Sequence, residues 1–368
     1  MNNITPWQRI KPYFLAFDPA LSLILLGIAI ISILIQFSAA YDFSGRMPDH
    51  IRNFLLAFMV MWIAANVPPQ TLLKVALPVY VAGVLLLVAV ALFGDVSKGA
   101  RRWLNLGATR IQPSELLKIG VPLMLAWYFQ QRESVLAYKD YGVAAIILAI
   151  PTVLILKQPD LGTATLVFAA GFFVIFFAGL SWRILVAGIV VFLGSLPLIW
   201  ALMHDYQRQR VMTLLDPTTD PLGKGFHIIQ SMIAVGSGGI VGKGFLQGTQ
   251  THLEFIPERT TDFIFSVYME EFGLMGALVL LVLYGLLISR GFAIASSAPT
   301  LFARLLAASL TMIFFTYAFV NMGMVVGILP VVGVPLPFMS YGGTALLTLG
   351  LASGMLMSIQ RHRKLVPT

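Results

Sequence analysis

One carboxylate–cation pair and two further carboxylates in this chain are placed for chemistry. Glu115 and Lys118 lie one helical turn apart, just after Pro113, which suits the first position of a helix, so they share a face. Asp160 follows Pro159, and Asp262 stands ahead of an apolar run that begins at residue 272. A carboxylate so placed can take a proton from an attacking hydroxyl. Arg101, Arg102, Arg110, Lys157, Arg208, Arg210, Lys224, Lys243 and Arg259 flank these acids in sequence. Guanidinium forks match phosphate oxygens two at a time, so this group could hold a diphosphate. Each feature also has a plainer reading. Glu115 and Lys118 could simply pair, Asp160 and Asp262 could cap helices, and several cations could bind anionic lipid.

The elements that must position these residues are membrane spans. Of the 368 residues 58% are hydrophobic and 11% charged, less than half the roughly 25% charge of a soluble domain. A soluble enzyme, a disordered chain and a disulfide scaffold are excluded, the last also by the absence of cysteine. Runs free of Asp, Glu, Lys and Arg cover 19–41, 53–73, 75–94, 119–131, 141–156, 161–182, 184–204 and 272–289. A last run, 305–360, is too long for one span of about 20 residues and is broken by Gly327, Pro330, Gly333, Pro335 and Pro337. The expectation is an all-α integral membrane protein of about ten transmembrane helices, forming a single polytopic domain over 1–368. Saturated rather than alternating apolar runs argue against a β-barrel. Arg9 and Lys11 precede a first run too long for a cleaved signal peptide, so it is read as a retained helix.

With the N-terminus in the cytoplasm, the inner loops collect Arg9, Lys11, Lys74, Arg132, Lys139, Arg183, Arg290, Arg304, Arg361, Arg363 and Lys364 against Asp18, Glu133 and Asp140. The net charge of +8 then lies wholly on the inner face, and the outer acids and bases balance in number. Both termini are therefore expected in the cytoplasm. The long connection 204–262 faces outward between the seventh and eighth helices, with short amphipathic helices expected around 206–214 and 225–234. Glu115, Lys118, Asp160 and Asp262 all fall at that outer rim.

Other chemistries lack their patterns. Gly236 to Gly244 is glycine-rich, but Gly244 follows Lys243 where a nucleotide-binding phosphate loop needs Ser or Thr. The five histidines are scattered, without zinc spacing. A divalent cation, Mg²⁺ or Mn²⁺, on Asp262 and Asp160 stays open, though spacing does not show one. Nucleic acid is not an expected partner, because the basic residues form no stripe.

Six segments carry a resemblance. They are Lys98-Gly99-Ala100-Arg101-Arg102-Trp103-Leu104, Gln112-Pro113-Ser114-Glu115-Leu116-Leu117-Lys118, Gln158-Pro159-Asp160-Leu161-Gly162-Thr163, Tyr206-Gln207-Arg208-Gln209-Arg210, Pro257-Glu258-Arg259-Thr260-Thr261-Asp262-Phe263-Ile264-Phe265 and Pro335-Leu336-Pro337-Phe338-Met339-Ser340-Tyr341-Gly342-Gly343. In this order, from the first helix to the last, the chain resembles the SEDS family of cell-wall glycosyltransferases, its rod-shape branch more than its division-specific one. The resemblance implies a ten-helix membrane fold, location in the cell (inner) membrane, and polymerisation of lipid II into peptidoglycan glycan strands during cell elongation. It places the catalytic aspartate at Asp262. Substrate-binding positions fall at Glu115, Lys118, Asp160 and Arg210, with Trp103, Gln207 and Ser340 as further carry-overs. It also implies a class B penicillin-binding protein as partner within the elongation machinery.

In such a reaction a sugar hydroxyl attacks an anomeric carbon with inversion and expels a lipid diphosphate. Asp262 would act as the base or hold a cation, and Arg210 and Lys118 would face the diphosphate. A nearby Arg259 would weaken Asp262 as a base. The competing reading is a lipid-linked sugar flippase. Transporters, however, place their site near the bilayer midplane and often repeat their halves, whereas these charges gather at one rim.

Overall fold

The computed structural model describes residues 16–97, 100–105, 110–132, 136–203, 205–219, 223–253, 255–256 and 258–363. Helices dominate: α1 (Pro19–Ala39), α2 (Arg46–Ala65), α3 (Pro69–Phe93), α4 (Pro113–Gln130), α5 (Tyr138–Lys157), α6 (Leu161–Phe177) and α7 (Trp182–Leu202). Three short helices follow, α8 (Asp205–Leu215), α9 (Lys224–Ser237) and α10 (Thr249–His252), and then α11 (Ile264–Ser296), α12 (Leu301–Val325) and α13 (Gly343–Arg361). Seven of these, α1, α3, α5, α7, α11, α12 and α13, are long and apolar enough to cross a membrane. The chain is a multi-pass, mainly helical membrane protein.

One departure from an all-α chain lies between α3 and α4. There β1 (Asp95–Ser97), β2 (Ala100–Asn105) and β3 (Arg110–Ile111) form a small antiparallel ribbon, with Asp95 opposite Trp103 and Leu104 opposite Ile111. A second departure is a boundary. The charge-free run 53–73 is not one helix, because the chain breaks at Asn66 to Pro68 and restarts with Pro69 at the head of α3. Lys74 therefore sits inside a helix rather than in a loop. Charges bounded the apolar run, whereas prolines bound the helix.

Local sequence explains where helices begin. Prolines stand in the first turns of α1, α3 and α4. Side chains of Asp18, Asp160, Ser181 and Thr300 accept from first-turn N–H groups of α1, α6, α7 and α12. α12 forms the centre of the bundle, packed by α4, α6, α11 and α13. α13 lies close against α2, where a Cβ at Gly350 or Gly354 would fall 2.5 Å from the Ala57 carbonyl oxygen or 2.3 Å from that of Met61. This G-x-x-x-G spacing brings membrane helices into backbone contact. No residue of α7 is buried.

α11 breaks at Gly273, whose φ of 60° and ψ of −159° interrupt the helix. The glycine-rich segment repairs the break. Leu274 and Met275 N–H groups donate to Gly239 and Ile240 carbonyls at 2.9 and 3.0 Å, while Lys243 and Gly244 N–H groups donate to Glu270 and Glu271 carbonyls at 3.0 Å each. Both sides of the interrupted ladder are thus paired, as backbone at membrane depth requires. Lys243 adds a side-chain ion pair to buried Glu270 at 2.7 Å, and Ser38 of α1 donates to Glu271. The glycines are needed for this approach: a Cβ on Gly242, at φ +81°, would sit 2.1 Å from the Glu271 carbonyl oxygen.

At the opposite end, Arg290 donates to both Asp18 oxygens, at 3.0 and 2.6 Å. Burial pushes the Asp18 carboxyl up, but the bonds from Arg290 and the Leu21 N–H outweigh it and hold it below the usual carboxylate range.

Two outcomes follow. Gly242→Ala lowers the melting temperature of the detergent-purified protein, since positive φ alone disfavours a side chain by about 1–2 kcal/mol, whereas Gly236→Ala, on a helix with open space beside it, leaves it unchanged or raises it. Asp18→Asn destabilises at neutral pH by about 1–3 kcal/mol. Because the folded Asp18 pKa is depressed, its contribution is full above the unfolded value of about 3.9 and disappears as pH falls through the folded value. Melting curves of wild type and Asp18→Asn therefore converge at the acid end.

Candidate active site

Asp262 lies on a turn just before α11, and three successive carbonyls of that turn are each held by a side chain from a different element. Gln36 of α1 donates to Thr260 O at 2.7 Å, Ser340 to Thr261 O at 2.6 Å, and Asn321 of α12 to Asp262 O at 2.8 Å. Thr260 O also accepts from the Tyr341 N–H at 2.8 Å, and Arg46 of α2 donates to the Thr260 hydroxyl. Gln36 and Asn321 use their second amide hydrogens on Met339 O and Val334 O, at 3.0 and 2.7 Å. The aspartate turn and the segment 334–341 are therefore tied together from α1 and α12. The Asp262 carboxylate is half-buried, and a Cβ on Gly333 would come 3.3 Å from its Oδ2.

Glu115 and Lys118 form the ion pair that their spacing allowed, at 2.5 Å. Lys118 is fully buried and donates also to the Tyr317 hydroxyl at 2.6 Å, and Thr348 of α13 donates to the other Glu115 oxygen at 3.1 Å. Tyr317 and Asn321 are one turn apart on α12, which places the Lys118 pair roughly 6 Å along the helix from the residue that holds Asp262.

Asp160 does cap α6, accepting from the Thr163 N–H at 3.1 Å and its hydroxyl at 2.9 Å. Its Oδ2 also faces Gln112 Nε2 at 3.3 Å and Arg102 Nε at 3.7 Å. Gln112 immediately precedes the helix that carries Glu115, and a Cβ at Gly162 would meet Val332 O at 2.5 Å. Adjacent residues Val332 and Gly333 thus touch the start of the Asp160 helix and the Asp262 carboxylate. Asp160, Glu115, Lys118 and Asp262 share one end of the bundle.

The other expected positions divide. Ser340 is buried, with its hydroxyl donating to Thr261 O and accepting from Leu336 N–H, so it shapes the turn. Trp103 is half-buried on β2, and Gln207 is half-buried on α8. Arg210 belongs to α8, but its side chain, like those of Arg110 and Lys224, lies outside the described residues. Several cations suggested for a diphosphate are engaged within the protein. Arg259 donates to Asp42 and the Ala39 carbonyl beneath the rings of Tyr41 and Phe43. Arg208 donates to the Trp200 and Ala201 carbonyls at the end of α7, Arg102 to Pro159 O and Lys243 to Glu270.

Sequence reasoning missed Gln36, Arg46, Tyr317, Asn321 and Thr348. The signal was there: Gln36 and Asn321 are strong hydrogen-bonding side chains inside apolar runs, where an unpaired amide is costly. Sorting by charge alone passed over them.

Lys118→Met leaves Glu115 as a nearly buried charge without its cation and destabilises by about 3–5 kcal/mol, read as a lower melting temperature. Adding Glu115→Gln recovers much of that loss. Equal melting of the single and double variants would show that the pair is not coupled.

Comparison with known proteins accounts for nearly the whole chain. Residues 15–365 match the family model described as cell cycle protein, FtsW, RodA and SpoVE. Over 366 residues the chain is 50% identical to the peptidoglycan glycosyltransferase MrdB of Escherichia coli (strain K12), with 99% of this chain and 98% of that protein covered. It is similar to a chain in a structure titled for the coordination of polymerization and crosslinking by a peptidoglycan synthase complex (TM-score 0.82, 35% identity, 95% of this chain and 99% of that one). It is also similar to the crystal structure of the rod shape determining protein RodA of Thermus thermophilus (TM-score 0.72, 30% identity, 94% and 97%). The chain belongs to the FtsW, RodA and SpoVE family of cell cycle proteins, the SEDS family that its motifs resemble.

Proposed function

We propose that this chain is a peptidoglycan glycosyltransferase that polymerises lipid II into glycan strands for cell elongation. The observation that carries this reading is a carboxylate held on a turn fixed at three successive carbonyls, in a chain 50% identical over its length to a peptidoglycan glycosyltransferase. Names of the relatives describe transfer rather than transport, which favours this reading over a flippase.

In this reading Asp262 takes the proton from the attacking sugar hydroxyl as the new glycosidic bond forms and the lipid diphosphate leaves with the bonding electron pair. Base catalysis of this kind contributes about 10²–10⁴-fold. Lys118 uses two of its three donors on Glu115 and Tyr317, so its third is assigned to the diphosphate, with Arg210 of α8 as the second cation of this reading. Trp103 and Gln207 flank the donor head. Among the described residues no three carboxylates or imidazoles converge on one point. A divalent cation at Asp262 would therefore have at most two such protein ligands and draw the rest from phosphate and water, a set that suits Mg²⁺; such an ion would supply charge neutralisation to the diphosphate.

The same reading gives ten spans, because α2, α4 and α6 pack among the seven more apolar helices. With the N- and C-termini cytoplasmic in the cell (inner) membrane, Asp262 and the loop 204–262 face outward, where the lipid-linked sugar is exposed. An apolar groove of about 400 Å³ between α1, α2 and α13, lined by Phe17, Leu25, Phe54, Phe58 and Phe338, suits a polyprenyl tail. A class B penicillin-binding protein is the partner this assembly fits, since a similar chain is described within a synthase complex that couples polymerization to crosslinking.

Purified with its transpeptidase partner and given lipid II, the wild type yields a glycan ladder, and Asp262→Asn reduces the rate by about 10²–10⁴-fold while folding normally. Full polymerisation by Asp262→Asn would remove Asp262 from the chemistry. Lipid II translocation in liposomes that survives this substitution would favour the flippase.

A further inference from the structure

We propose that His50 is a positioning residue for Asp262, acting through Ser32 and Gln36, an inference that rests on Asp262 as the reacting carboxylate. His50 is on α2, one turn from Arg46, and Ser32 and Gln36 are one turn apart on α1. All three of His50, Ser32 and Gln36 are buried, at 1%, 0% and 1% exposure. Four polar side chains in two apolar helices therefore meet across one interface.

Their hydrogen bonds fix a direction. Ser32 Oγ lies 3.3 Å from Met339 O and 3.0 Å from His50 Nε2. A carbonyl only accepts, so the single Ser32 proton serves Met339 O, and His50 Nε2 must be the protonated nitrogen that donates to Ser32. This tautomer is assigned from the network. It leaves Nδ1 a bare lone pair, which agrees with its being buried without a hydrogen-bond partner. The opposite tautomer would bury an unpaired N–H and take the Ser32 donor away from Met339 O. The ring itself is packed edge-on against Phe54 at 4.9 Å and beside Tyr341 at 6.2 Å, which holds it in place.

From His50 the chain of contacts reaches the catalytic turn in three steps. Its N–H orients Ser32, Ser32 and Gln36 together hold Met339 O, and Gln36 holds Thr260 O with its other hydrogen. Met339 and Tyr341 flank Ser340, whose hydroxyl holds Thr261 O. If Ser32 rotated away, Met339 O would keep only Gln36, and both the Ser340 and Gln36 contacts to the Asp262 turn would loosen. Reacting groups lose rate steeply with misplacement on the ångström scale, so the effect falls on turnover rather than on lipid II binding.

The test uses the full chain with its transpeptidase partner and measures kcat and KM for lipid II together with the melting temperature. Glutamine places an amide N–H near the position of Nε2, and asparagine near that of Nδ1. His50→Gln is expected to keep kcat within about threefold of wild type, while His50→Asn and His50→Ala lose about tenfold or more in kcat with KM little changed. Retained kcat in both His50→Asn and His50→Ala, an equal loss in His50→Gln, or a loss confined to KM would overturn the proposal. Should His50→Ala not fold, Ser32→Ala decides: it is expected to show the same kcat loss, and wild-type turnover would overturn the relay. Asp262→Asn measured in parallel separates the two readings. Activity in Asp262→Asn with loss in His50→Ala overturns the role of Asp262, whereas the reverse pattern overturns that of His50.

Discussion

The structure depends on one constraint: polar backbone at membrane depth must find partners inside the protein. A helix meets it automatically, but Asp262 stands on a turn ahead of α11, outside any helix. The turn from Thr260 to Asp262 leaves the helical ladder, and its carbonyls are paired instead by Gln36, Ser340 and Asn321. These donors come from α1, the 326–342 connection and α12, so satisfying the backbone also fixes where Asp262 sits relative to the bundle. Pairing and positioning are the same set of bonds.

The same constraint recurs about three turns further on, at Gly273. There the interrupted ladder of α11 is closed by the segment Gly239 to Gly244, and the pairing is strictly reciprocal, two donors and two acceptors on each side. Residues 264–272 are consequently held at both ends, by the aspartate turn before them and by the glycine-rich segment after them. Glu270 reinforces the second anchor by accepting from Lys243, Thr249 and the Gln250 N–H. A lysine in a glycine-rich stretch looks like a phosphate loop in sequence. Here its backbone closes a helix break and its side chain neutralises a buried acid.

How much of this was legible depended on which physical signal each residue carried. Apolar runs gave the helices, and Pro113 with Glu115 and Lys118 gave the start and face of α4, because charge and proline have unambiguous costs in a span. Short helices at 205–215 and 224–237 stood close to the positions that their apolar residues indicated. The run 53–73 misled because it was bounded by charge, while Pro68 and Pro69 decide the break. Basic residues were the least legible. Arg102, Arg208, Lys243 and Arg259 look alike in sequence as phosphate ligands, yet each engages a carbonyl or carboxylate of its own chain, a choice set by tertiary contacts that spacing does not encode. Gln36 and Asn321 were missed for the opposite reason, being uncharged.

Engagement of those cations bears on the chemistry. A diphosphate leaving group needs positive charge that is aimed but not yet neutralised, and an arginine already paired with Asp42 or a helix-terminal carbonyl provides little. Lys118 is paired as well, with Glu115 at 2.5 Å, and differs from the arginines in having a second side-chain acceptor, Tyr317, that fixes its direction. Glu115 is itself fixed by Thr348, and Tyr317 takes a second donor, so the ammonium is oriented while one N–H stays outside these contacts. α12 carries both Tyr317 and Asn321 on one face, so any shift of that helix would move Lys118 and the Asp262 turn together. The distance between the Lys118 pair and the Asp262 turn is thereby set by a single element, the kind of support that holds a site to ångström precision.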